Sequence, residues 1–334
     1  MTKTILAFAG GVGGAKLALG LARSLPPDQL TIVVNTGDDF EHLGLRVSPD
    51  LDTVMYTLAG LANPETGWGL AGETWNFLES IGKLGGETWF RIGDHDLATH
   101  VERTRLLDDG WPLSRITRHF CEHLGIPTEI IPMSDDTVRT VVHTDGGPLP
   151  FQEYFVHRGC QPRVRDFEFL GAPFAKPQPR LLERLRDANA LIYCPSNPYV
   201  SIAPILALPG VRLLIESRRE AGMPVVAVSP IVGGQALKGP AAKMMTELGL
   251  DSTVTALAEH YAGTIDGLVI DRVDAGCAAR IEPLGIKTFV TGTVMTSDVD
   301  KIRLARETVE FALSLKGRGD GETRRQGDVA NPGL

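Results

Sequence analysis

Apolar positions in this chain fall into two regimes. Short runs dense in Val, Ile, Leu and Ala recur at residues 4–9, 30–34, 128–132, 190–194, 225–228, 267–270 and 287–291, each emptying into a polar or glycine-rich loop. Continuous apolar runs of this length belong to strands covered on both faces, as in parallel sheets. Elsewhere apolar residues return every three or four positions, as at 17–25, 182–187 and 297–315, which predicts helices. Alternating strands and helices predict an α/β fold with a Rossmann-like, mostly parallel sheet. Between 54 and 124 helical periodicity stands alone, at 54–58, 75–78, 97–107 and 113–124. We therefore expect residues 1–53 and 125–315 to form a nucleotide-binding domain and 54–124 a mostly helical insertion. A hairpin of 137–142 with 151–156 is expected around Asp145-Gly146-Gly147, and the tail from 316 is expected to be disordered.

Two stretches carry candidate chemistry. The first strand runs into Gly10-Gly11-Val12-Gly13-Gly14-Ala15-Lys16 before the helix expected from Leu17. Glycines let a backbone approach closely, and the first-turn N–H groups of a helix face an anion, so this segment predicts a phosphate site. It is neither common fingerprint. A Walker loop needs Gly at Ala15 and Ser or Thr at Leu17, and the dinucleotide pattern begun at Gly11 meets Lys16 where Gly or Ala belongs. After the second strand comes Asn35-Thr36-Gly37-Asp38-Asp39, and Asp50 and Asp52 follow across a short loop holding Gly44 and Pro49. Four carboxylates so close repel one another unless a cation joins them; the alternative is a turn at Asp38-Asp39 and a helix capped by Asp50. Magnesium is usually held by one or two carboxylates plus substrate phosphates.

Composition narrows the classes. With 334 residues, 43% of them hydrophobic, the chain can bury a full core. No stretch reaches the ~18 continuous apolar residues of a membrane span, and the run at 5–9 is too short for a signal peptide, so a cytoplasmic protein is expected. Cys121, Cys160, Cys194 and Cys277 are far apart, which excludes a CxxC zinc site and fits a reducing compartment. A formal charge of -8 disfavours nucleic acid. Trp68, Trp75 and Trp89 lie in the expected insertion, where aromatics are usually core but could also wall a flat ligand. Ser229 to Pro240 repeats the theme of a strand end followed by glycines, with Lys238 as a further anion contact.

Taken in order, GGVGGAKL (10–17), VNTGDD (34–39), SPDLDT (48–53), GWG (67–69), GDHDLATH (93–100), PMSDD (132–136), FQEYFV (151–156) and PSNPYVSIAPIL (195–206) resemble the 2-phospho-L-lactate transferases of deazaflavin coenzyme (F-420) biosynthesis. The blocks span nearly the whole chain in register. The resemblance implies a magnesium-dependent enzyme, usually a homodimer. Its reaction joins the ribityl hydroxyl of 7,8-didemethyl-8-hydroxy-5-deazariboflavin to the β-phosphate of a guanosine-diphospho-linked three-carbon acid and releases GMP. It further implies Gly11, Gly13, Gly14, Lys16 and Lys238 at the diphosphate, and Ser196, Asn197 and Ser201 at the nucleotide. Asp38 and Asp50 would hold the metal, with Asp39 and Asp52 as reserves, and Asp50 would accept the attacking hydroxyl's proton. The deazaflavin would meet Asp50, Trp68, Arg91, Asp94, His95, Asp96 and Thr99, with His95 standing where many members carry arginine. Asp135 or Asp136 would accept from guanine. Phospholactate, phosphoenolpyruvate and phosphoglycerate donors stay open.

Two other readings compete. A nucleotide or sugar-nucleotide binding regulator would keep the glycine segment but needs neither SPDLDT nor the insertion. A nicotinamide-dependent dehydrogenase would put Asp38 on ribose hydroxyls, and Lys16 argues against it.

Overall fold

The computed structural model describes residues 3–315; the tail expected to be disordered lies outside them. Its centre is a sheet of seven strands: β1 (Ile5–Ala9), β2 (Leu30–Val34), β3 (Glu129–Pro132), β4 (Ala190–Tyr193), β5 (Val225–Val228), β6 (Gly267–Asp271) and β7 (Lys287–Thr291). Their spatial order is β7-β6-β5-β4-β1-β2-β3, every pair parallel. This is the α/β, Rossmann-like arrangement expected. Strand periodicity divides the core in two: Leu6 and Phe8 pack on one face, with the Phe8 and Tyr193 rings stacked 5.6 Å apart, and Ile5, Ala7 and Ala9 on the other. The inner strands are buried on both faces, which is why they show no polar alternation, whereas the edge strand β7 is only partly buried.

Helices cover the sheet. α1 (Gly11–Ser24) packs against α2 (Pro49–Ala59) and, on its other side, against the last helix, Asp298–Ser314. Between α2 and β3 come α3 (Asn76–Lys83), α4 (Asp94–Asp108) and α5 (Leu113–His123), so the stretch expected to be helical is helical. The last helix begins with a capping box in which Ser297 and Asp300 each satisfy the other's backbone N–H. Among the described residues no single helix is long and apolar enough to cross a membrane.

Three expectations need correction. The glycine-rich segment is not a loop before a helix at Leu17; it is the first turn of α1, which begins at Gly11. Residues 151–156 are not a strand. The partners of strand Arg139–Thr144 are Gly147–Pro150 and Val164–Leu170, while Phe151, Tyr154 and Phe155 recur at helical spacing and lie in a helical turn with Tyr154 fully buried. The segment between the two pairs of aspartates is itself a hairpin, Phe40–His42 with Leu45–Val47, turning through Leu43 and Gly44 at positive φ.

The crossing of α1 with the last helix depends on Gly20. A Cβ there would sit 2.1 Å from the Lys301 carbonyl oxygen, a backbone atom that cannot step aside. Gly20→Ala should therefore lower the melting temperature, with overpacking of about 1–3 kcal/mol outweighing the gain in helix propensity. Gly82→Ala, where a Cβ meets only Thr88 Cγ2 at 3.4 Å, should melt at or above the parent temperature. Thermal unfolding of both checks the packing; a Gly20→Ala protein as stable as the parent would refute it.

Candidate functional site

Strand order reverses between β1 and β4, and the crevice beyond their carboxyl ends is where open α/β sheets bind ligands. β1 delivers Gly10 and α1 there, and β4 delivers Pro195, Ser196 and Asn197. The two segments touch. A Cβ on Gly13 would fall 2.3 Å from the Pro195 carbonyl oxygen, and one on Gly14 would fall 2.5 Å from Ser196 Oγ. Ser196 Oγ also accepts from Gly10 N and donates to Gly10 O. Gly11, at φ +63°, turns the chain so that its N–H donates to Asp50 Oδ1 at 2.7 Å.

Asp50 stands in the first turn of α2, where Ser48 rather than Asp50 is the cap residue. Its second oxygen accepts from Asn35 Nδ2 at 3.0 Å, and Asn35 Oδ1 in turn accepts from Gly37 N. The β2 loop, α1 and α2 thus converge on one carboxylate. Burial pushes Asp50 up to about 6, against the hydrogen bonds from Asn35 and Gly11. Asp38 is pushed well above the carboxylate range, first by burial and then by the Asp50 charge, and its Oδ1 is buried without a partner.

The other two aspartates have partners. Asp39 accepts from Ser48 Oγ at 2.7 Å, and burial lifts it to about 7 against Ser48, Arg139 and Arg103. Asp52 is paired with Arg103, a residue only 1% exposed, through both guanidinium NH2 groups.

A cavity of about 470 Å³ opens above these groups. Asp38, Asp50 and Asp52 line it beside Gly11 and Gly13. Ser196, Asn197, Ser201 and Lys238 line it as well. Aromatic side chains line it too: Trp68, Trp89 and Phe90, and Phe151 and Phe155, whose rings stack at 5.4 Å. Arg91 also lines it, its guanidinium 4.2 Å from the Trp75 ring centroid. Asp96 reaches it from α4.

Other expected residues stand apart from the cavity lining. Lys16 Nζ donates to the Met295 carbonyl, and burial together with Lys301 and Lys238 lowers its pKa. Asp94 caps α3 by accepting from Asn76 N and Phe77 N, and the His95 N–H is taken by Glu73. Thr99 lies beside the Tyr56 hydroxyl. Asp135 accepts from Ser114, and Asp136 from Lys176 N. The sequence reading passed over Tyr56, His100, Arg103 and Asn35. For His100 the signal was its four-residue spacing from Asp96 along one helix face.

The raised carboxyls bear on stability. A group whose folded pKa exceeds its unfolded value contributes stability below the unfolded pKa, near 4, and loses it as pH rises through the folded one. For Asp39 the loss runs from near 4 up to about 7 and levels off above it. The ligand-free protein should therefore lose several degrees of melting temperature between pH 5 and pH 8, and Asp39→Asn should lose fewer. Equal slopes in thermal melts of the two proteins would rule this out.

The sequence matches, over residues 5–284, the family described as 2-phospho-L-lactate transferase CofD. It is 44% identical over 319 residues to the phosphoenolpyruvate transferase of Streptomyces griseus, covering 93% of this chain and 99% of the relative. It is 39% identical over 322 residues to the 2-phospho-L-lactate transferase of Methanopyrus kandleri, covering 95% and 100%. Among solved structures, protein BH3568 from Bacillus halodurans superposes with a TM-score of 0.62 at 15% identity, over 92% of this chain and 100% of that one, which is a likeness of fold alone. On its sequence, this chain belongs to the 2-phospho-L-lactate transferase CofD family.

Proposed function

We propose that this transferase of F-420 biosynthesis moves a phospho-three-carbon acid from its guanosine-diphospho-activated form to the ribityl hydroxyl of 7,8-didemethyl-8-hydroxy-5-deazariboflavin, releasing GMP. The observation that carries this reading is one cavity lined together by the Asp38 and Asp50 carboxylates, the amino end of α1 that donates to Asp50, and aromatic side chains. Phosphoryl transfer asks a protein for in-line positioning and charge neutralisation. The amino end of α1, Ser196 and Lys238 suit the diphosphate. Trp68, Trp89 and Phe155 suit a flat tricyclic ring. The acceptor oxygen attacks the phosphorus that carries the acid, the bridging P–O bond breaks, and its electron pair leaves with GMP. Asp50 takes the hydroxyl proton in the same step, a role its raised pKa favours.

The carboxylates also fit magnesium. Asp38 Oδ1 is buried and unpartnered beside a second carboxylate, the donor set of an ion completed by water and substrate oxygens. Asp38 and Asp50 are the residues that would hold it. Bound there, magnesium would neutralise the diphosphate. Asp52 is less suited because Arg103 already compensates it. The curated relatives carry phosphoenolpyruvate and 2-phospho-L-lactate in their names, so either acid suits the donor. The reading also takes the enzyme to be a cytoplasmic homodimer.

Purified protein mixed with the deazaflavin alcohol and magnesium should form the phosphodiester and GMP from the guanosine-diphospho derivative of one acid in preference to the other two of phospholactate, phosphoenolpyruvate and phosphoglycerate. Binding of NAD with no product from any of the three would defeat the proposal. Asp50→Asn should lower kcat by about 100-fold or more while leaving the circular dichroism spectrum unchanged. Undiminished turnover would remove Asp50 from the chemistry.

A further inference from the structure

Resting on that reading of the acceptor, we propose that His100 and Asp96 form a hydroxyl-reading pair that selects the polyol chain of the acceptor alcohol. His100 is 1% exposed, yet it and Asp96 both line the cavity. Its tautomer follows from its neighbour. Arg103 Nη1 lies 3.3 Å from His100 Nδ1, and a guanidinium can only donate, so Nδ1 is the acceptor and the ring proton sits on Nε2. Asp52 Oδ2, at 3.7 Å from Nδ1, is too far to take a proton there.

The Nε2–H is left without a hydrogen-bond partner. It stands 3.3 Å from Asp96 Oδ2, a long contact that leaves room for a shorter partner. Asp96 itself is pinned, with Oδ1 accepting from the Tyr56 hydroxyl at 2.7 Å and its backbone N–H held by Glu73 Oε1 at 2.8 Å. A buried donor and a buried acceptor therefore stand side by side at the cavity, each with capacity to spare. Such a donor is costly to leave unsatisfied. An alcohol satisfies both, accepting from His100 Nε2 through its oxygen and donating its hydrogen to Asp96 Oδ2. A phosphate oxygen can accept but is repelled by Asp96. The pair thus favours a neutral hydroxyl and leaves the anionic donor to the amino end of α1. Because the attacking hydroxyl belongs near Asp50, the hydroxyl read here is an internal one of the ribityl chain.

The test uses the full chain with the intact deazaflavin alcohol and its 2'-, 3'- and 4'-deoxyribityl analogues. One of the analogues should lose about 100-fold or more in kcat/KM with the parent enzyme, since a site built to bond a hydroxyl rejects the analogue lacking it. In His100→Phe that same analogue and the intact alcohol should be used within about threefold of each other, and His100→Gln, which keeps an N–H donor, should restore part of the discrimination. Should His100→Phe fail to fold, Tyr56→Phe, which unpins Asp96, is expected to shrink the same penalty. Equal use of all three analogues by the parent enzyme, or a penalty unchanged in the variants, would overturn the pair while leaving the acceptor assignment standing. Failure of the parent enzyme to use the intact alcohol would overturn both.

Discussion

One carboxylate joins the three segments on which the site depends. Asp50 is presented by the first turn of α2, accepts from the start of α1 through Gly11 N, and is held from β2 by Asn35 Nδ2. Both hydrogen bonds are short, the one from Asn35 is buried and the one from Gly11 partly so, and neither is a charge pair. The carboxylate is therefore steered by neutral donors and a helix end, which orient it without neutralising it. Burial raises its pKa, and these two hydrogen bonds offset only part of the rise. A neighbouring lysine would have fixed the geometry equally well and removed the basicity.

The four aspartates of the acidic stretch divide by what the fold sets opposite them. Asp52 meets Arg103 from α4, and Asp39 meets the Ser48 hydroxyl with Arg139 in reach, so both are spent within the protein. Asp38 and Asp50 have no cation opposite them and face the cavity. Removing a charge partner from a buried group is strongly unfavourable, which makes α4 a structural support for α2 as much as a wall of the site. The helices between α2 and β3 therefore do two things. They supply the counter-charge that lets two acidic residues pack, and α4 brings His100 and Asp96 to the cavity.

The chemistry attributed to the enzyme follows from this division. An anionic diphosphate needs positive potential, which helix α1 and Lys238 offer, and a hydroxyl nucleophile needs a carboxylate that no lysine or arginine of the protein neutralises. The amino end of α1 and Asp50 meet at the point where strand order reverses, and they share one cavity with aromatic side chains.

The inner strands were legible in the sequence because a strand buried on both faces is largely apolar, and 30–34 and 225–228 read at their observed bounds; the edge strand 287–291, only partly buried, also read at its bounds. The glycine segment and the clustered aspartates were legible for a similar reason, since close backbone approach and concentrated like charge restrict residue type. Residues 151–156 were misread because a short apolar run fits a strand and a buried helical turn alike until its partner is known. Which aspartates remain free, and that Lys16 turns to the Met295 carbonyl, were decided only by the tertiary structure. Arg103 lies 51 positions from Asp52 and Met295 lies 279 from Lys16, so no local pattern records either pairing. Sequence alone determined which residue types could do the chemistry; folding determined which of them the protein had not already consumed, because a counter-charge or hydrogen-bond partner is set by distance in space.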